Sequence, residues 1–296
     1  MVMRNYPPQF RADAVALYES RHWLTAAPVS RRMPTHTKPF PRQLRILCER
    51  SLRQWFPGEE GIVSVARQEG GKSATSALWL RNCPQKPRAA IITLHGGRVE
   101  DYQTSQPWHL AALRMRPVLR AAASAMPLDE LVLARVRYRR RGWNQDDPLH
   151  DTYRALGELQ QIAGPVPTVL IGHSMGGRAA LRAASHPQVD GVLALAPWLP
   201  PTERATQLSG KRAVLLHGER DRMTSPQDSA DYIKRARTAG ARAGIILIRN
   251  GDHAMLRRSR LWHRTVTALV TDLLRPEEQP RGLAAACYAA TAPLML

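Results

Sequence analysis

The chain has 296 residues, enough for one large domain or a domain with an appendage, and its 44% hydrophobic and 23% charged content is that of an ordinary globular protein. Its formal charge of +19 is not ordinary, and raises nucleic acid, a membrane surface or an acidic substrate as partners. The excess is almost all arginine, with lysine only at positions 38, 72, 86, 211 and 234, and it is scattered, with Arg139, Arg140 and Arg141 as the one dense run. That distribution argues against a phosphate-tracking surface, so no nucleic-acid partner is expected.

Cys48, Cys83 and Cys287 are odd in number and lack C-x-x-C spacing, which speaks against a disulfide framework or a zinc site and suits a reducing cytoplasm. The start lacks the basic-then-apolar pattern of a secretory signal, and no apolar run approaches the roughly 18 residues of a membrane span. A cytoplasmic protein with no membrane contact is therefore expected.

Residues 1–58 differ in texture from the rest of the chain. Pro7, Pro8, Pro28, Pro34, Pro39, Pro41 and Pro57 break them up, leaving two short amphipathic helices at 11–20 and about 42–55 around a proline-rich, basic linker. The run Tyr6-Pro7-Pro8-Gln9-Phe10-Arg11-Ala12-Asp13-Ala14-Val15-Ala16-Leu17-Tyr18 resembles the start of the small helix-turn-helix protein of insertion-sequence transposases. No recognition helix comes after it, so the piece reads as a fusion scar or a misplaced start and not as a DNA reader. The expected division is an appendage at 1–58, a catalytic domain at 59–275 and a tail at 276–296, its apolar stretch 283–296 a docked or frayed end.

From residue 59 the pattern becomes regular. Segments 62–67 and 76–81 alternate on either side of Gly70 and Gly71, an antiparallel hairpin by pattern. Near-continuous apolar runs lie at 90–94, 131–134, 168–171, 192–195, 213–216 and 245–248, as parallel strands covered on both faces read. Helical patterns separate most of them, at 110–123, around Leu149, Tyr153, Leu156, Leu159 and Ile162, at 178–184, at 225–239 and at 259–274. The alternation predicts an α/β protein with an open, mostly parallel sheet, helices on both faces and ligands beyond the carboxyl ends of the strands.

The chemistry-bearing stretch is the third of these runs, where the strand 168–171 leads through Gly172-His173-Ser174-Met175-Gly176-Gly177 into a helix. Strand, sharp turn with a serine, and helix are the context of a G-x-S-x-G nucleophile elbow. Gly172 and Gly176 lack Cβ atoms, which lets strand and helix approach while Ser174 takes a strained conformation. The Met175 N–H then sits at a helix start, available to an oxyanion. A serine hydroxyl needs a base and the base an orienter. The strand 213–216 ends in His217-Gly218-Glu219-Arg220-Asp221, and the strand 245–248 in Arg249-Asn250-Gly251-Asp252-His253. An acid and a histidine thus come just after strand ends as Ser174 does, in the order Ser174, Asp221, His253.

With these motifs in that order, residues 59–275 resemble an α/β-hydrolase-fold serine hydrolase. The resemblance implies Ser174 as nucleophile, His253 as general base and then acid, and Asp221 as the carboxylate that fixes the histidine tautomer. Asp252 is the rival orienter, though its side chain should point elsewhere from the same tight turn. His173 should point away from Ser174, and His95 and His217 should organise their turns. His95-Gly96-Gly97 resembles the family's H-G-x segment, which carries the second oxyanion donor to the Gly97 N–H beside that of Met175. The seventeen residues 196–212 leave no room for a sizeable lid, so the site should be open, with Arg98, Trp143 and Trp198 as possible pocket residues. No nucleotide-binding glycine pattern and no metal-ligand cluster is present, so no cofactor or metal is expected. The expected function is cleavage of a carboxylic ester, thioester or small amide; the alternatives are an inactive binding protein of the same fold, or a DNA-binding protein.

Overall fold

The computed structural model describes residues 76–275 and 278–296. The transposase-like stretch, the segments 11–20 and 42–55 expected to be helical, and the first half of the expected hairpin lie outside them. Eight strands form one sheet: β1 (Leu78–Asn82), β2 (Ala89–Leu94), β3 (Leu131–Val136), β4 (Thr168–His173), β5 (Val189–Leu195), β6 (Arg212–Gly218), β7 (Arg242–Ile248) and β8 (Leu294–Met295). Six α-helices accompany them: α1 (Leu110–Ala123), α2 (Asp147–Ala163), α3 (Met175–Arg182), α4 (Pro226–Thr238), α5 (Ser259–Leu273) and α6 (Gly282–Ala289). Among the described residues no helix is long and apolar enough to cross a membrane.

The strand order is β1-β3-β2-β4-β5-β6-β7-β8. β1 runs antiparallel to β3, and every other neighbouring pair is parallel. The central strands read as unbroken apolar runs because both faces are covered. Alternation divides their side chains between two cores. Ile92, Leu94 and Leu170 join Leu156 and Leu159 of α2 and Ala179 and Ala180 of α3 on one face. Ile91, Leu133 and Ile171 join Met115 and Val118 of α1 and Trp262, Val266 and Leu269 of α5 on the other.

This order locates the site. β2 lies between β3 and β4, so the chain leaves β2 in one direction and later returns on its other side. Such a reversal opens a crevice at the carboxyl ends of the two strands. Leu94 pairs with Gly172 across β2 and β4, which brings the loop after β2 against the turn after β4.

The structure alters one detail of the sequence reading and decides another. In α2, Tyr153 and Ile162 are 37% and 44% exposed, whereas Thr152 and Ala155 are buried beside Leu149, Leu156 and Leu159. At about 100° per residue, Tyr153 falls more than a quarter-turn from the centre of that face. The C-terminal stretch is docked: α6 packs on β7, and β8 extends the sheet through Leu296 N–H to Leu247 O (2.9 Å) and Arg249 N–H to Leu296 O (2.7 Å). Segment 196–211, between β5 and β6, holds only one short 3₁₀ turn, Thr206–Leu208, and no inserted lid.

Candidate active site

Ser174 sits between β4 and α3 with φ 54° and ψ −118°, a conformation that costs of order 1–3 kcal/mol and persists only where its surroundings enforce it. They do so here. Ser174 N–H donates to Leu195 O at 2.9 Å, and Ser174 O accepts from Arg178 N at 3.2 Å and Trp198 N at 3.1 Å. The flanking glycines are required by close approach: a Cβ on Gly172 would stand 2.1 Å from Gly176 O, and one on Gly176 2.4 Å from Leu94 O. Met175 is the first residue of α3, whose leading N–H groups have no intrahelical partner.

Asp221 and His253 come together from two turns 32 residues apart. His253 Nδ1 lies 2.8 Å from Asp221 Oδ2. Asp221 Oδ1 accepts the N–H groups of Met223 (2.7 Å) and Thr224 (3.0 Å), so the carboxylate is held from behind by its own turn. Burial acts to raise the Asp221 carboxyl, but hydrogen bonds from His217 and His253, the imidazole charge and the Thr224 amide outweigh it and hold the group far below the usual carboxylate range. Asp252, the rival, spends its Oδ1 on Leu256 N–H (3.0 Å) and Arg257 N–H (3.1 Å), capping the turn that carries His253. Among the described residues no hydrogen bond joins Ser174 Oγ to His253; in a free enzyme such bonds are often long and tighten with substrate.

His173 Nε2–H donates to His253 O at 2.9 Å, with the two rings 4.8 Å apart. Burial pushes the His173 imidazole well below its usual value, so it braces the His253 turn as a neutral group. His95 does comparable work in the loop after β2, with Nδ1 2.7 Å from Gly96 O and Nε2 3.3 Å from Ser105 Oγ. Burial lowers it to about 4. Gly97 borders the elbow, since a Cβ there would lie 2.2 Å from Arg141 O and 2.5 Å from Met175 Cε. The Gly97 backbone therefore lies against the Met175 side chain and the Arg141 carbonyl.

The three pocket candidates have separate settings. Arg98 is exposed and stands 3.6 Å from Asp101. Trp143 is 6% exposed and belongs to the core, with Trp198 edge-on at 6.1 Å. Arg178 stacks on both indoles, 4.1 and 4.6 Å from their ring centres, and is tied to the buried Glu203. Each arginine of the dense run has a carboxylate: Asp151 for Arg139, Asp147 for Arg140 and Asp101 for Arg141. Sequence reasoning passed over Thr224, whose Oγ1 is 2.9 Å from Asp221 Oδ2 and 3.2 Å from His253 Nδ1. Its place three residues after the acid was the available signal. Among the described residues no group of three His, Cys, Asp or Glu side chains is arranged to hold a metal ion.

Comparison with known proteins gives a consistent picture of the fold. Residues 132–273 match the model of a family described as alpha/beta hydrolase domain. No curated protein is recognisably similar in sequence. Among solved structures, TT1662 from Thermus thermophilus is 18% identical, with 68% of this chain and 94% of that one covered and a TM-score of 0.51. Est1E from Butyrivibrio proteoclasticus with ferulic acid bound is 13% identical, covering 67% and 94%, with a TM-score of 0.51. A monoacylglycerol lipase from Paleococcus ferrophilus is 13% identical, covering 66% and 99%, with a TM-score of 0.50. The chain has the α/β-hydrolase fold, with an open, mostly parallel eight-stranded sheet and no sizeable lid.

Proposed function

We propose that the protein is a cofactor-independent serine hydrolase that cleaves a carboxylic ester, thioester or small amide through an acyl-enzyme. The observation that carries this reading is the 2.8 Å contact of His253 Nδ1 with Asp221 Oδ2, at a strand end near a serine held at φ 54° on a helix start. Asp221 as acceptor fixes the tautomer with the proton on Nδ1, which leaves Nε2 bare as the base. Ser174 Oγ attacks the substrate carbonyl as its proton passes to His253 Nε2. The N–H groups of Met175 and Gly97 receive the oxyanion. Collapse expels the leaving group, which takes the proton from His253. Water then attacks the acyl-enzyme, giving its proton to His253, and the acid departs as Ser174 regains it.

Exposed Val99, Tyr102 and Met223 on the loops that carry Gly97 and Asp221 offer apolar surface to a carbon-rich substrate. The fold shared with a monoacylglycerol lipase makes ester panels the first to try. The substrate is taken to be a small acyl compound, with no nucleic acid, membrane, metal or cofactor involved. The test is labelling of the intact protein with a fluorophosphonate. Labelling that Ser174→Ala and His253→Ala both abolish is expected; an unlabelled, well-folded wild type would overturn the proposal.

A further inference from the structure

Asp221 serves a second histidine. We propose that His217 is a positioning residue of this site, donating from Nε2 to the same Asp221 oxygen that receives His253 Nδ1, with its other ring nitrogen held by Ser229. The inference rests on the serine hydrolase reading above.

His217 is the penultimate residue of β6 and is fully buried. Its Nε2 lies 3.1 Å from Asp221 Oδ2, and its Nδ1 lies 2.9 Å from Ser229 Oγ, on the first turn of α4. An ionised carboxylate only accepts, so Nε2 carries the proton. Nδ1 meets the Ser229 hydroxyl, which can both donate and accept. Ser229 is itself fully buried. Thr224 Oγ1 touches all three groups, 2.9 Å from Asp221 Oδ2 and 3.2 Å from each imidazole nitrogen that faces the carboxylate. A histidine that only shaped its turn would need backbone partners. The side-chain partners of His217 are the candidate orienter and serines or threonines of the segment just after it.

Asp221 Oδ1 is already occupied by two backbone N–H groups, so its orientation does not depend on His217 alone. What His217 changes is the charge on Oδ2. A further donor on that oxygen, beside His253 Nδ1–H and the Thr224 hydroxyl, draws negative charge away from His253 and weakens the hold of Asp221 on an imidazolium there. The base then stays unprotonated, and usable, to lower pH. The other titratable groups around His253 are accounted for: His173 is neutral beneath its carbonyl, and Asp252 is turned to the amides of Leu256 and Arg257.

The test measures the rate of Ser174 acylation by a fluorophosphonate against pH in wild type, His217→Phe, His217→Gln and Ser229→Ala, with thermal melts to confirm folding. The acid limb of His217→Phe is expected to move to higher pH by about half a unit, with a rate loss of up to about threefold on that limb. His217→Gln, which keeps an N–H donor, is expected to return the limb toward wild type. Ser229→Ala, which removes the partner that holds Nδ1 but keeps the ring, is expected to shift it the same way by less, and carries the test if His217→Phe does not fold. An unmoved limb in the folded variants, a limb moved to lower pH, or a Gln variant no better than Phe would overturn the assignment while leaving the serine hydrolase reading intact. A wild type that does not react at Ser174 would overturn both.

Discussion

Two carboxylates adjoin the candidate base, and they differ in what they touch. Asp221 meets the imidazole at 2.8 Å, whereas Asp252 caps its own turn. Asp221→Asn is expected to lower kcat by about three to four orders of magnitude, because an amide does not enforce the tautomer with Nδ1 protonated. Asp252→Asn is expected to stay within about tenfold of wild type, since an asparagine oxygen can still accept both amides. Steady-state rates on any ester that labelling identifies would separate the two; equal losses would mean that the assignment of roles is wrong. Gly97→Ala addresses the oxyanion loop. The added Cβ has no room between Arg141 O and the Met175 side chain, so the loop must move. A fall in kcat of about 100-fold is expected from losing one donor, with a melt lowered by about 1–3 kcal/mol of strain as the loop is displaced.

At the scale of elements, the C-terminal segment is bound to the sheet by one side chain in particular. Arg237, near the end of α4, donates to Ala243 O (2.7 Å), Ala290 O (2.6 Å), Cys287 O (3.2 Å) and Tyr288 O (3.3 Å). It therefore satisfies carbonyls at the end of α6, where helical carbonyls lack partners. Next to it, Gly244 lets α6 lie against β7, since a Cβ there would stand 2.4 Å from Cys287 Sγ. Arg237→Ala is expected to cost about 2–3 kcal/mol, as charged donors to buried carbonyls are lost together. Ala243 and Arg237 lie toward the amino end of β7, away from the His253 turn. Urea melts should therefore report the loss while the rate of fluorophosphonate labelling of folded protein stays unchanged. A matching loss of labelling would tie the tail to the site.

For the whole molecule, the buried imidazoles set a pH limit on stability. His95 titrates at about 4 in the folded chain, against 6.5 unperturbed, because burial disfavours its charged form. His173 is held well below its usual value for the same reason. The unfolded chain therefore takes up protons between pH 6.5 and 4 that the folded chain does not, so stability falls as the pH falls through that window. For His95 alone the drop amounts to about 3 kcal/mol by pH 4. Denaturant melts at pH 7, 5.5 and 4.5 measure it, and His95→Asn should flatten the dependence. The first 58 residues contribute none of the proposed catalytic groups, so a chain starting at Glu59 is expected to label at Ser174 as the full chain does. A truncated chain that is soluble and folded yet unlabelled would show that the appendage completes the site.

The sequence by itself determined the order of strands and helices as far as α5, but not α6, and the serine, acid and histidine just past strand ends, because apolar periodicity and turn chemistry are local. The match was close for α1 and α5, whose buried residues recur at a clean helical spacing, and less close for α2, where Tyr153 and Ile162 are apolar yet lie off the buried face. The tertiary structure alone decided that Asp221 and not Asp252 meets His253, that His217 shares its oxygen, and that Trp143 packs with Arg178 in the core. It alone also decided that Leu294–Met295 closes the sheet as an eighth strand. Those pairings join groups on different turns and helices, and their distances are set by strand register and loop conformation, which no local pattern encodes.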